Sequence, residues 1–372
     1  MKTRLLWICL ACLIGAQVSL LAIPLPPRYR VDARIDLDQH HISGSETLTF
    51  TNTTNTPIHE ITLFLYPNRF STKNSALTEM NYLWHYPSGV DKGWTSVGTV
   101  RDTAGTELSS SLDEGSGLPA GTLLRVKLHD TLQAGSELTL KFDFETRIPH
   151  KYGPFGHYRQ IFTLQGGWHP YLVPIGKGGE PLVHAFPQRS QFELHLTLSK
   201  PRDAVLNGTY FNQVSEIETQ LSGNRRLSLV IAPRFYPTEA SAGSKTVTFY
   251  SPFAKRYKLS KAVNAFVKGT VEASQFLPSG TPDHISVVET YLRAVMSFPA
   301  DSMILVSDRF MVTVEKFNFR DLNRLEAARA VAQLMATELV AAREDLENLN
   351  WVSEAVAWAF RNQFLGDNFE HL

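Results

Sequence analysis

The stretch RLEAARAVAQLMATELVAAREDLENLNWVSEAVAWAF (324–360) is patterned as two successive helices, with one carboxylate, Glu354, on the second. Two histidines at i and i+4 share one face of a helix. A carboxylate arriving from the next helix would complete a three-ligand metal site with one open position. The first of the two helices supplies no histidine, because the chain has none between His284 and His371. Glu338 and Glu344 lie on that helix, and a carboxylate-only set suits zinc poorly. His150, His157 and His169 are close in sequence, yet they sit among Pro and Gly without ligand spacing. Asp301, in SFPADSMILVSD (297–308), could hold an amine and reads more simply as a surface-loop carboxylate.

The elements that must carry these residues fall into two patterns. From Tyr29 the chain alternates: Tyr29, Val31, Ala33, Ile35 and Leu37 are apolar, and Arg30, Asp32, Arg34 and Asp36 between them are polar. That is the period of a half-buried strand. It returns at Leu138, Leu140, Phe142 and Phe144, and again at Phe192, Leu194, Leu196 and Leu198. Many short strands separated by turn residues predict an all-β sandwich. SSSLDEGSGLPAG (109–121) reads as a surface connector.

After about residue 240 the pattern changes. SAGSK (241–245) reads as a linker. VTFY (247–250), ISVVE (285–289) and MILVS (303–307) read as strands, and 259–276, 321–346 and 351–365 as helices. The expected organisation is multidomain: residues 1–22, a sandwich over 23–240, and a mixed α and β unit over 245–372.

Residues 1–22 have the form of a secretory signal. Lys2 and Arg4 precede LLWICLACLIGAQVSLLA (5–22). If uncleaved, that run is about long enough to act as a membrane anchor. The expectation is export, to a periplasmic or extracellular place. Both cysteines, Cys9 and Cys12, lie in this segment, so the body can form neither a disulfide nor a cysteine metal site. Lys plus Arg equal Asp plus Glu at 36 each, which argues against a nucleic-acid partner. Arg225, Arg226, Lys255 and Arg256 read as solvated surface. Trp168 and Tyr171, in GGWHPYLVP (166–174), are candidates for lining a groove for a peptide or protein partner, with sandwich-edge packing as the simpler reading.

YRVDARIDLDQHHISGSETLTFTNTTNTPIHEITLFLYPNRF (29–70), FGHY (155–158), GGWHPYLVP and WVSEAVAWAF (351–360), in this order, resemble the aminopeptidase N family, which includes leukotriene-A-hydrolase-like zinc metallopeptidases. The resemblance implies a sandwich followed by a thermolysin-like α+β domain, zinc as cofactor, and release of N-terminal residues from peptides. With Glu354 as the family's glutamate ligand, the two histidines would fall at Val331 and Met335 and the general base at Ala332. None of these side chains can do that work: valine and alanine carry no donor, and a thioether is a soft ligand. The family's G-x-M-E-N-like loop, whose glutamate anchors the substrate amine, is also missing from 297–308. The family's transition-state tyrosine would lie beyond Leu372, so the sequence reads as a truncated, degenerate relative. The expectation is a non-catalytic pseudo-peptidase used for binding or scaffolding, with no catalytic residue and no bound zinc. Two alternatives stand beside it: a working metallo-aminopeptidase with its site misaligned or completed by further sequence, and a membrane-linked structural module of an envelope or transport assembly.

Overall fold

The computed structural model describes residues 25–73, 78–114, 117–242, 245–254, 261–276, 283–293, 295–311, 320–341 and 358. Residues 1–22, the position of Glu354 and the basic pair Lys255 and Arg256 lie outside them. In chain order the first strands are β1 (Arg28–Asp36), β2 (His41–Thr51), β3 (Ile58–Phe64), β4 (Trp94–Val97), β5 (Val100–Arg101), β6 (Glu107–Leu108) and β7 (Ser110–Leu112). Then follow β8 (Leu123–Leu132), β9 (Glu137–Arg147), β10 (Phe155–Tyr158), β11 (Ile161–Leu164), β12 (Tyr171–Leu172), β13 (Ser190–Leu206), β14 (Thr209–Asn224) and β15 (Leu229–Ala232). The last are β16 (Tyr236–Ala242), β17 (Lys245–Ser251), β18 (His284–Thr290), β19 (Ser297–Ala300) and β20 (Met303–Ser307). Helices among the described residues include α1 (Glu79–His85), α2 (Lys261–Phe276) and α3 (Arg320–Ala341). None of the described helices is long and apolar enough to cross a membrane.

An 11-stranded sheet runs β10-β11-β15-β13-β1-β2-β9-β5-β6, with β14 on β13 and β4 on β9. A four-stranded sheet, β12-β3-β8-β7, faces it. The alternation in β1 is realised as a strict exchange of exposed and buried residues. Its inward side chains join one apolar cluster with those of β2, β3, β8, β9 and β13. This is the packing of a two-layer sandwich. Part of the expected connector 109–121 is strand: β7 pairs with β8.

The second unit is a five-stranded sheet, β16-β17-β18-β20-β19. β17, β18 and β20 are parallel and antiparallel strands flank them. β18 and β20 are buried almost throughout, as expected for parallel strands covered on both faces. SAGSK is not a linker: Ser241 pairs with Thr246 and Ala242 with Lys245, at the end of the β16–β17 hairpin. α2 and α3 pack closely. A Cβ on Gly269 would lie 2.6 Å from the Cα of Arg324, so the α2 glycine admits the α3 backbone. Ala327, Ala328 and Ala330 share the apolar cluster with Phe249 and Phe266.

A third cluster joins the two units. Val205, Val230 and Ile161 of the sandwich meet Tyr250, Val288, Met303 and Leu305 of the smaller sheet. Polar bonds cross the same seam. Thr163 and Thr290 hydroxyls are 2.5 Å apart, and the Ser286 hydroxyl donates to the Gly208 carbonyl at 2.7 Å.

Candidate functional site

α3 is buried on every side from Leu325 to Leu334. Alanines at 327, 328, 330 and 332 leave room for neighbouring elements to approach closely. Val331 and Ala332 are 0% and 2% exposed, and Val331 belongs to the apolar cluster between helices and sheet. Met335 lies on the same helix; its side chain is outside the described residues, as is Glu354. Zinc needs nitrogen, sulfur or carboxylate donors converging on one point. Val331 and Ala332 offer none, so the residues present do not fit the ion that the family resemblance implies.

The polar chemistry of α3 lies on another stripe. Glu326 and Arg329 are one turn apart, with side chains only 6% and 8% exposed. Arg329 Nη2 donates to Glu326 Oε1 at 2.8 Å, and its Nε reaches Oε2 at 3.1 Å. The same Nη2 donates to Ser297 Oγ at 2.7 Å, and that hydroxyl donates to Glu326 Oε1 at 2.7 Å. Arg329 Nη1 donates to Gln333 Oε1 at 3.0 Å. Ser297 starts β19, the edge strand of the smaller sheet, so the network ties helix to edge. Trp358 adds an aromatic ring, with the guanidinium carbon 5.9 Å from its centroid. A planar fork held on a carboxylate is the strong form of this interaction. Sequence reasoning missed these residues because a Glu–Arg pair at i, i+3 ordinarily reads as a solvated helix face. The signal available was the run of alanines around them, which marks a helix packed all round.

The remaining sequence candidates are dispersed. Asp301 sits at φ +54 in the β19–β20 turn. It is not placed to hold a substrate amine. Its Oδ2 accepts from the side-chain amides of Asn207 and Asn224 at 2.9 and 2.8 Å, and its Oδ1 accepts from the Arg225 backbone N–H at 3.2 Å. It fastens the small sheet to the sandwich. Arg225 is buried rather than solvated, and donates to the Pro187 carbonyl at 2.9 Å. Trp168 is fully buried and donates its indole N–H to the Leu227 carbonyl at 2.7 Å. Tyr171 is buried and stacked on Phe64. Both are core residues with almost no surface for a ligand, which corrects the groove expectation.

The three histidines separate. His169 is buried in the sandwich core, its Nδ1 2.9 Å from Glu46 Oε2. Burial pushes the Glu46 carboxyl up, and His169 opposes that. His157 instead stacks on His40 at 3.6 Å, with His150 5.1 Å away. Burial and then these two neighbours push the His157 imidazole down to about 3. Stacked rings do not aim their nitrogens at one point. Among the described residues no group of three His, Cys, Asp or Glu is placed to hold a metal ion. Beside this cluster Lys151 is buried against the rings of Phe70 and Tyr86, at 4.9 and 5.9 Å. Its ammonium donates to the Tyr152 carbonyl at 3.1 Å. Burial lowers its pKa to about 8.

Known proteins resemble this architecture. No family model and no curated protein matches the sequence. Solved structures do match the fold. The M1 zinc metallopeptidase from Deinococcus radiodurans superposes with a TM-score of 0.54 and 12% identity, over 92% of this chain and 71% of that one. A glutamate-to-alanine variant of the same enzyme gives 0.55 and 13%, over the same shares. That variant bound to a Tyr-Ser-Ala substrate gives 0.54 and 13%, over 93% and 71%. At this identity the likeness is one of fold: the chain is β-rich, has more than one unit and is built like the M1 zinc metallopeptidases.

Proposed function

We propose that this chain is an exported, non-catalytic pseudo-peptidase on the M1 metallopeptidase fold, with a sandwich followed by a thermolysin-like unit that binds or holds a peptide or protein partner. The observation that carries this reading is the make-up of α3. The helix that would bear a metal ligand pair has Val331 in an apolar cluster and Ala332 buried beside it in sequence, and its polar stripe is committed to an internal ion pair. Hydrolysis of a peptide bond by a metal-activated water needs an open coordination position and a base beside it. Neither Val331 nor Ala332 can ligate or accept a proton. Residues 1–22 would direct export or anchor the chain, and the body would act outside the cytoplasm.

The test is a hydrolysis assay of the purified full chain on a panel of aminoacyl and dipeptidyl amides, with and without added zinc. The expected result is no release above buffer. Release of N-terminal residues that a chelator abolishes would overturn the reading.

A further inference from the structure

We infer that Arg329 stands at the junction of α3 and β19 as a built-in cation, occupying with its guanidinium the role a bound metal ion would have in tying helix to edge strand. Glu326, Arg329 and Gln333 follow the i, i+3, i+7 spacing that forms one stripe of a helix. Ser297 closes the set from the strand. All of these side chains are buried. Glu326 Oε1 and Oε2, Ser297 Oγ and Gln333 Oε1 are the oxygen donors that converge here, and what they converge on is Arg329. Arg329 and Gln333 also have the i, i+4 spacing of a helical ligand pair, and they lie two residues before Val331 and Met335. The stripe that meets the edge strand is therefore theirs. Val331 is spent in the apolar cluster.

Two physical consequences follow. A guanidinium keeps its charge throughout the accessible pH range and cannot be extracted by a chelator. Its planar fork fixes direction as well as distance, which an ion held by oxygen donors alone does less strictly. The junction is therefore closed without any metal, and it is the stripe at 326, 329 and 333, not that at 331 and 335, that could accept one if its cation were removed. This inference goes beyond the pseudo-peptidase reading, since it concerns what fills the junction and not what the chain binds.

The experiment is equilibrium dialysis against zinc followed by elemental analysis, on the full chain and two variants, with far-UV circular dichroism to confirm folding. In R329H/Q333H the native cation is replaced by two imidazoles four residues apart, one turn beyond Glu326. This variant should take up about one zinc per chain, the stoichiometry of a three-ligand site. V331H/M335H and the wild type should take up none. A folded R329H/Q333H that binds no more zinc than wild type overturns the inference, and so does uptake by V331H/M335H instead. If R329H/Q333H fails to fold, R329Q serves: its thermal midpoint should fall, and a midpoint equal to that of the wild type would overturn the inference. Metal-independent hydrolysis of peptide amides would remove the pseudo-peptidase reading and leave this inference standing. Stoichiometric zinc in the wild type would remove both.

Discussion

Two buried acid–base pairs, one in each unit, solve the same problem differently. In the sandwich, Glu46 and His169 are 0% and 2% exposed and meet at 2.9 Å, and Glu46 Oε1 has no partner. In the smaller unit, Glu326 and Arg329 are nearly as buried, and both oxygens of the carboxylate are engaged. Burial favours the uncharged form of the Glu46 carboxyl, so that group can shed its charge and leave an oxygen idle. An arginine cannot. Its charge must be met wherever it is buried, and Glu326, Ser297 and Gln333 meet it. The difference between these two pairs is that the permanent charge engages both oxygens of its carboxylate, whereas the histidine leaves one idle.

The largest expected effect separates the two pairs. R329M strands the Glu326 carboxylate in the interior and should cost about 3–5 kcal/mol in urea unfolding, as loss of one member of a buried pair does. Replacing both, E326M/R329M, should recover most of that, to within about 1 kcal/mol of wild type. Equal losses in the single and double variants would mean that the two charges are not coupled.

The next effect comes from the buried Lys151 ammonium, packed against Phe70 and Tyr86. Lys151 titrates near 8 in the folded chain against an ordinary value of 10.5. Between those values the unfolded chain holds a proton that the folded chain has released. Stability should therefore rise with pH across that window, by about 3 kcal/mol in total. In K151M the rise should vanish, leaving a flatter profile in denaturant unfolding measured from pH 7.5 to 10.5. A variant with an unchanged profile would show that burial does not govern this amine.

The smallest effect is E46Q. It replaces the carboxylate that faces His169 and should cost about 1–3 kcal/mol, the range for one disturbed buried hydrogen bond. A loss as large as that of R329M would erase the distinction between the two pairs.

Much of the sandwich is legible in the sequence because its strands are buried on one face only. Val31, Ala33 and Ile35 in β1, and Leu194, Leu196 and Leu198 in β13, point one way, and their polar neighbours point the other. β14 was missed for a physical reason. Among the described residues it pairs with β13 alone and is largely exposed, so it carries little apolar alternation to read. β19 is hard to read because SFPA holds a proline, which an edge strand tolerates. The site is less legible than the fold. That Val331 and Ala332 cannot ligate follows from residue type alone. The alanines around Glu326 and Arg329 mark a buried helix, but that β19 brings Ser297 to them across the chain is encoded by no local pattern. His40 joining His157 and His150, and Asp301 capturing Asn207 and Asn224, are likewise products of strand order.

The most direct measurement is thermal unfolding of the wild-type chain in saturating zinc and, separately, in excess chelator. The account predicts coincident midpoints, because the charge that closes α3 onto β19 belongs to the chain. A midpoint that falls by several degrees in chelator and returns with zinc, as a ligand bound to the native state requires, would contradict it.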